Sequence, residues 1–353
     1  MKIIGIFVKN LTSGGAEKQA VLLARVLASD VKVHFIVFNG VKVHEKYLIR
    51  LKEDNRISVC LLKGGRVSKF QQLVKYLREN HIDMIFSYLA AANLYACIAG
   101  KLAGVKVYTG LRNVDLPWKK RFVDKLLANH MATRTIVNCH TGKANFVKHG
   151  FREDKLIVIP NGFEGIHAYY ARPQADMVKI ITVGRFHPQK DYDTAIAAFD
   201  ALHNVCENTK YMIVGYGSEE QSIRAHVRER GIDNVCEIII NPDNIPELLD
   251  EADIYLSTSL IEGTSNSIME AMNASLPIVA TDVGDNAYLV ENGSNGFLLP
   301  VKDVNGIANR LAMLAKDAHL RQSMGKKSLN ILKCKYSVEE FRNNYLKIIG
   351  SES

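Results

Sequence analysis

Cysteine is scarce and scattered in this chain. The six residues at 60, 97, 139, 206, 236 and 334 form no CxxC pair and have no histidine partners at ligand spacing. That excludes a disulfide framework and a zinc site, and free thiols in a reducing compartment are expected. Long hydrophobic runs are also missing. The opening "MKIIGIFVKN" is too short for a signal peptide, and the longest later run, "LAAANLYACIAGKLAG", is broken by Asn93 and Lys101. No membrane-spanning helix is implied, and a cytoplasmic location is expected. What remains is an ordinary globular composition, 47% hydrophobic and 23% charged, in 353 residues, long enough for two domains.

The formal charge of +8 conceals an asymmetry. Residues 1–170 hold 27 Lys and Arg against 12 Asp and Glu, whereas the remainder holds 18 against 25. A basic half suits an anionic partner, such as a membrane surface, a phosphorylated acceptor or nucleic acid. Basic side chains that merely solvate surface helices give the same count.

Short β-branched runs alternate with amphipathic segments almost from end to end. The first half offers "KIIGIFV", "VKVHFIVF", "ISVCLL", "DMIFSY", "VKVYTG" and "RTIVN"; the second offers "VKIITVG", "KYMIVG", "VCEIII", "DIYLST", "LPIVAT" and "NGFLLP". Between them, segments such as "GAEKQAVLLARVLASD" place apolar residues three and four apart, the helical period. The alternation predicts an α/β chain of two Rossmann-like, doubly wound parallel-sheet domains with ligands at the carboxyl ends of the strands, in a central cleft. The proline-containing polar break "YYARPQADM" puts the boundary near residue 172, giving domains at 1–171 and 172–335. Residues 336–353 form a separate helix: Ser337 and Glu340 stand at capping-box spacing, and Phe341, Tyr345 and Ile348 share a face. It is expected to pack back on the first domain.

Three stretches carry chemistry. In "EGTSNSIME", residues 262–270, two carboxylates bracket small hydroxyl residues after an apolar strand. Residues 264–267 are expected to be the first helical turn, with Ile268, Met269 and Met272 on its apolar face. Free N–H groups there suit an anion or hydroxyl, and Gly263 admits close approach. Glu262 and Glu270 then hold the hydroxyls of two sugars; a loop acid and a helix acid serving local donors meet the same spacing. In "TVGRFHPQKD", Arg185 offers a bidentate fork and Lys190 a point charge at a strand's carboxyl end, as a diphosphate requires. In "NLTSGGAEKQA", Gly14 and Gly15 allow close main-chain approach to a phosphate or sugar.

"SGGAEK", "VGRFHPQKD", "YMIVGYGSEE", "EGTSNSIME" and "EAMNASLPIVATDVGDNAYLVENGSNGFLL" together resemble family 4 of the retaining glycosyltransferases, with the GT-B fold. The resemblance covers essentially the whole chain and is most specific over residues 180–300. It implies transfer of a sugar from a nucleotide donor with the anomeric configuration kept and with no metal or other cofactor. Carried over, Arg185 and Lys190 stabilise the leaving diphosphate and Glu262 contacts the transferred sugar. Main-chain amides of Gly263, Thr264, Ser265, Asn266 and Ser267 hold sugar and phosphate, Glu270 holds the ribose, and Gly15 lines the opposite wall. The base is expected beside residues 240–244, including Asn241 and Asn244. Many relatives carry a first-domain His where this chain reads "YTGLRNVDLPW"; Arg112 and Asn113, with Gly14, are the candidates there for donor sugar or acceptor.

Two features imitate other chemistries. "DYD", residues 191–193, resembles a metal-binding Asp-x-Asp but opens a helix, where carboxylates cap and favour the first turn. "GYGSEE" lacks the third glycine of a dinucleotide fingerprint. In the basic half, "LPWKKRFVDKLL" places Trp118 and Phe122 beside Lys119, Lys120, Arg121 and Lys125, a basic amphipathic segment suited to an anionic bilayer. "RVSKFQQLVKYLR" is a weaker second segment. The expected partners are a UDP-sugar donor, a lipid-linked or polysaccharide-precursor acceptor of bacterial surface glycans, and the inner membrane face. A UDP-N-acetylglucosamine-type epimerase shares the two-domain architecture and needs no acceptor. A non-catalytic nucleotide-sugar binder is disfavoured by the intact Arg185, Lys190, Glu262 and Glu270. Nucleic acid is disfavoured because the basic half lacks aromatic stacking motifs.

Overall fold

A computed structural model describes residues 1–12, 14–41, 43–112, 116–169, 171–172 and 176–351. The chain forms two compact units, one of residues 1–162 with 338–353 and one of residues 163–337.

In the first unit the chain runs β1 (Ile3–Val8), α1 (Gly15–Leu27), β2 (Lys32–Val37), α2 (Glu45–Lys52), β3 (Ile57–Leu61), α3 (Arg66–Glu79), β4 (Met84–Tyr88), α4 (Ala90–Ala103), β5 (Lys106–Leu111), α5 (Trp118–His130), β6 (Arg134–Val137), α6 (His140–Lys148) and β7 (Leu156–Val158). The seven strands are parallel in the order β3-β2-β1-β4-β5-β6-β7. Six of them coincide with the apolar runs expected from the sequence. The seventh, β7, was not expected, because its three residues at the sheet edge are too short for a period and only partly buried.

The second unit runs β8 (Val178–Arg185), α7 (Tyr192–His203), β9 (Thr209–Tyr216), α8 (Glu220–Glu229), β10 (Cys236–Ile240), α9 (Ile245–Glu251), β11 (Ile254–Ser257), α10 (Asn266–Asn273), β12 (Ile278–Thr281), α11 (Asn286–Leu289), β13 (Gly296–Leu299), α12 (Val304–Lys316) and α13 (Ala318–Tyr336). Its six strands are parallel in the order β10-β9-β8-β11-β12-β13. Strand order reverses between β8 and β11, the switch point where a doubly wound sheet leaves a crevice.

The boundary expected near residue 172 lies earlier, between Gly162 and Phe163. Phe163 N donates to the Tyr336 carbonyl at 2.8 Å, and Phe163 and Ile166 pack on the second unit's core. The Arg172 guanidinium donates to the carbonyls of Ala274, Ser275 and Leu249. This tethering, rather than the local composition, assigns the segment to the second unit; residues 170 and 173–175 of the break lie outside the described residues.

The last helix, α14 (Val338–Gly350), starts two residues later than expected and belongs to the first unit. Tyr336 ends α13, buried in the second unit with its hydroxyl on the Tyr288 carbonyl at 3.1 Å. On α14, Phe341, Tyr345, Ile348 and Ile349 enter the core around α1, each burial stabilising by about 1.5–3 kcal/mol. Arg342 grips Asp30 through both carboxylate oxygens, and Lys2 Nζ reaches the Ile349 carbonyl at 2.6 Å. The Arg342 bonds hold the Asp30 carboxyl below its usual range.

Candidate active site

Arg185 is the last residue of β8, and Lys190 closes a single 3-10 turn, Pro188–Lys190. That turn starts where the His187 ring Nδ1 accepts from Gln189 N at 3.2 Å. It is stitched to the loop after β11. Leu260 N donates to the Gln189 carbonyl at 2.8 Å, and the Thr258 hydroxyl reaches the carbonyls of Lys190 and Asp191, each at 2.9 Å. The stitching brings residues 72 positions apart together: Lys190 Nζ forms an ion pair with Glu262 Oε1, both side chains largely buried. The Ser259 hydroxyl donates to the same oxygen at 2.8 Å, so Glu262 is held from two sides. Among the described residues no carboxylate pairs with Arg185, which leaves a cation exposed at the mouth.

The helix expected from residue 264 begins at Asn266. Ser265 is its N-cap, accepting from Ile268 N at 3.4 Å, because a capping hydroxyl needs an extended main chain. Ile268, Met269 and Met272 are buried as expected, and no acid occupies the first turn. The helix start is therefore open to an anion. Glu270 lies one turn on. Beneath it, Tyr255 is buried with its hydroxyl on the Val183 carbonyl at 3.1 Å, and burial, with the charges of Glu270 and Glu262 nearby, pushes that hydroxyl well above the ordinary tyrosine range.

These groups line one cavity of about 350 Å³. Arg185, Lys190, Glu262, Thr264, Ser265, Asn266, Ser267, Glu270 and Asn241 all border it. Three expected members are not part of its lining: Gly15, which belongs to the first unit, Asn244, at the start of α9, and Gly263, whose carbonyl accepts from Asp285 N at 3.2 Å. Pro242, within the stretch expected beside the base, borders it too, and His187, Gln189, Tyr216 and Ile245 enter without having been singled out by the sequence. "GYGSEE", set aside as a false fingerprint, supplies Gly215 and Tyr216 to this wall. "DYD" is occupied otherwise: Asp191 accepts from the Thr194 hydroxyl at 2.7 Å and Asp193 meets His226 at 2.5 Å. Chemically, the cavity joins two cations, a helix start and two carboxylates, the complement of a diphosphate flanked by polyhydroxyl groups.

Two family models match the chain. "Glycosyl transferases group 1" matches residues 172–330 and "Glycosyltransferase Family 4" matches residues 13–164. The chain belongs to the family 4, group 1 glycosyltransferases. This glycosyltransferase is 24% identical over 376 residues to a Campylobacter jejuni protein named "GalNAc-alpha-(1->4)-GalNAc-alpha-(1->3)-diNAcBac-PP-undecaprenol alpha-1,4-N-acetyl-D-galactosaminyltransferase", covering 99% of each chain. It is 23% identical to an Escherichia coli "UDP-Gal:alpha-D-GlcNAc-diphosphoundecaprenol alpha-1,3-galactosyltransferase", over 78% of each. Among solved structures, Anabaena HepE in complex with UDP superposes with a TM-score of 0.84 at 21% identity, over 99% of this chain and 100% of that one. The fold is that of the GT-B enzymes.

In the first unit the glycosyltransferase presents different chemistry. Gly14 caps α1 in an ordinary extended conformation, and the space before Gly15 is open. The carboxylate of Glu17 fills the place beside Gly14, accepts from the Thr12 hydroxyl at 3.2 Å and already supplies negative charge at the helix start. Arg112 donates to the Tyr345 hydroxyl at 3.0 Å and Asn161 Oδ1 at 3.3 Å, and lies over the Tyr88 ring at 4.6 Å. Its guanidinium thus ties β4 and β5 to α14. Asn113 lies outside the described residues.

On α5, Trp118, Phe122, Val123 and Leu126 are exposed, Trp118 by 68%, with Lys119 over the Trp118 ring at 5.4 Å and Lys125 over Phe122 at 6.0 Å. Lys120 is also exposed, and Arg121 is half-buried. Neighbouring α4 adds Leu94, Ile98 and Leu102, spaced four apart and all exposed, a stripe the sequence reading missed. Beneath α5, Asp124 is buried against Asn93, whose amide donates to Asp124 Oδ1 at 3.1 Å and to the Gly110 carbonyl at 3.2 Å. Burial pushes the Asp124 carboxyl up to about 6, against the opposing influence of Asn93 and Lys120. No helix among the described residues is long and apolar enough to cross a membrane.

Proposed function

We propose that this glycosyltransferase moves a hexose or N-acetylhexosamine from a UDP-linked donor to a lipid-linked or polysaccharide-precursor acceptor in bacterial surface glycan assembly, retaining anomeric configuration without a metal. The observation that carries the reading is the single cavity in which Arg185, the Lys190–Glu262 pair, the α10 start and Glu270 converge. UDP in the HepE complex and the lipid-diphosphate acceptors in the names of the Campylobacter and E. coli relatives support the donor and acceptor classes.

Arg185 and Lys190 meet the diphosphate, with Lys190 shared between it and Glu262. Glu262 accepts from hydroxyls of the transferred sugar, and Glu270 from the ribose. As the bond from the anomeric carbon to the β-phosphate oxygen breaks, negative charge grows on the diphosphate, and fixed cations there lower the barrier. The acceptor oxygen bonds the anomeric carbon on the face the phosphate leaves, and its proton passes to a phosphate oxygen. Two cations at the leaving group are the charge a divalent ion supplies elsewhere, which supports metal independence. The basic, apolar face of α5 supports docking on an anionic membrane.

The test is a thermal-shift screen of the purified protein against UDP, GDP, ADP and their sugar conjugates, followed by product analysis. A selective shift with UDP conjugates that disappears in Glu270→Ala, with turnover lost in Lys190→Ala, is expected. No shift with any nucleotide, or unchanged turnover in Lys190→Ala, would remove the donor-site assignment.

A further inference from the structure

Val183 and Arg185 stand two residues apart on β8, as Val214 and Tyr216 do on β9, and the two strands pair in register with Val183 opposite Val214 and Arg185 opposite Tyr216. Paired residues of parallel strands share a face. Val183 and Val214 pack with α9 and α10, so Arg185 and Tyr216 project on the face where Glu270 and the α10 start lie. Tyr216 is 55% exposed and lines the cavity.

Three observations set Tyr216 apart. The buried tyrosines around it have hydroxyl partners: Tyr192 on the Gly184 carbonyl, Tyr255 on the Val183 carbonyl, Tyr211 with Thr182. The Tyr216 hydroxyl has none among the described residues. Its main chain is pinned. A Cβ on Gly215 would overlap the Gly184 carbonyl, one on Gly217 would overlap that of Phe186, and the Tyr216 carbonyl accepts from Phe186 N at 2.7 Å. Lastly, charge along the strand ends is ordered. Arg185 stands on β8 and Lys190 with Glu262 toward β11, whereas the opposite end, beyond Tyr216, is formed by Asn241, Pro242 and Ile245 without a charge.

We infer that Tyr216, which lines the cavity with Pro242 and Ile245, is the platform for the nucleobase of the donor and a residue that sets nucleoside affinity. This rests on the donor reading above and adds to it which side chain grips the uncharged end. An exposed aromatic ring carried on a pinned main chain at an uncharged end has one flat partner in a nucleotide sugar, the base, and stacks on it without choosing its hydrogen-bonding edge.

Calorimetric titration of the purified full chain with UDP, UMP and inorganic pyrophosphate separates the contributions. Tyr216→Ala is expected to weaken UMP and UDP alike by roughly 5- to 150-fold and to leave pyrophosphate unchanged. Tyr216→Phe keeps the ring and is expected to stay within about twofold of wild type. Because Tyr216 is exposed, its truncation leaves no cavity, and an unchanged melting temperature without ligand confirms the fold. UMP and UDP affinities in Tyr216→Ala equal to wild type, with wild-type binding intact, would overturn the platform alone. Wild-type protein that binds neither UMP nor UDP would overturn the platform together with the donor reading.

Discussion

Asp124 lets a buried charge be measured. It is 3% exposed on α5, accepts from Asn93, and faces Lys120 and the buried Cys97 thiol, whose own pKa its charge helps to raise. Its carboxyl rises from 3.8 to about 6 on folding. The folded chain therefore keeps a proton that the unfolded chain releases. This stabilisation is fully present below about pH 4, fades as pH rises through about 6, and amounts to roughly 3 kcal/mol from a shift of about two units. Asp124→Asn keeps the shape and an oxygen for the Asn93 amide but cannot ionise. Its urea-unfolding free energy, compared with wild type at about pH 4.5 and about pH 8, is expected to gain on wild type by roughly 2 kcal/mol between the two. An advantage or deficit that is the same at both pH values would show that the carboxylate is solvated in the folded state, refuting the argument.

Other perturbations follow from the same geometry. Lys119, Lys120 and Arg121 changed together to Glu are expected to weaken cosedimentation with vesicles rich in phosphatidylglycerol by at least about 100-fold, with the wild-type interaction itself weakening as salt rises; undiminished binding would place the membrane face elsewhere. Tyr345→Ala opens the α14 core and is expected to cost about 3–5 kcal/mol in urea unfolding. Arg342→Ala breaks a partly exposed pair and is expected to cost no more than about 1 kcal/mol, so that equal losses would mean that the ion pair, not the aromatic core, holds the helix.

Much of the fold was legible because parallel strands buried on both faces read as apolar runs and the helices between them keep their 3.6-residue period. Twelve of the thirteen strands among the described residues carry such a run; β7 does not. At the site, Arg185, Lys190, Glu262 and Glu270 were legible because "VGRFHPQKD" and "EGTSNSIME" set cations and separated acids beside strand ends and a helix start, and because both stretches resemble the family's motifs. Gly263 and Asn244 stand next to lining residues without lining the cavity themselves, which residue type and spacing do not encode.

By itself, then, the amino-acid sequence determined two α/β Rossmann-like repeats, the acids and bases that border the cavity and the basic, aromatic character of α5, since each depends on residue type and short-range spacing. Tertiary structure alone decided the Lys190–Glu262 pair, the Asn93–Asp124 contact, the transfer of residues 163–172 to the second unit and the place of Tyr216 beside Arg185. Each of these joins segments tens of residues apart, and strand order and register, which no local period encodes, select which distant side chains meet.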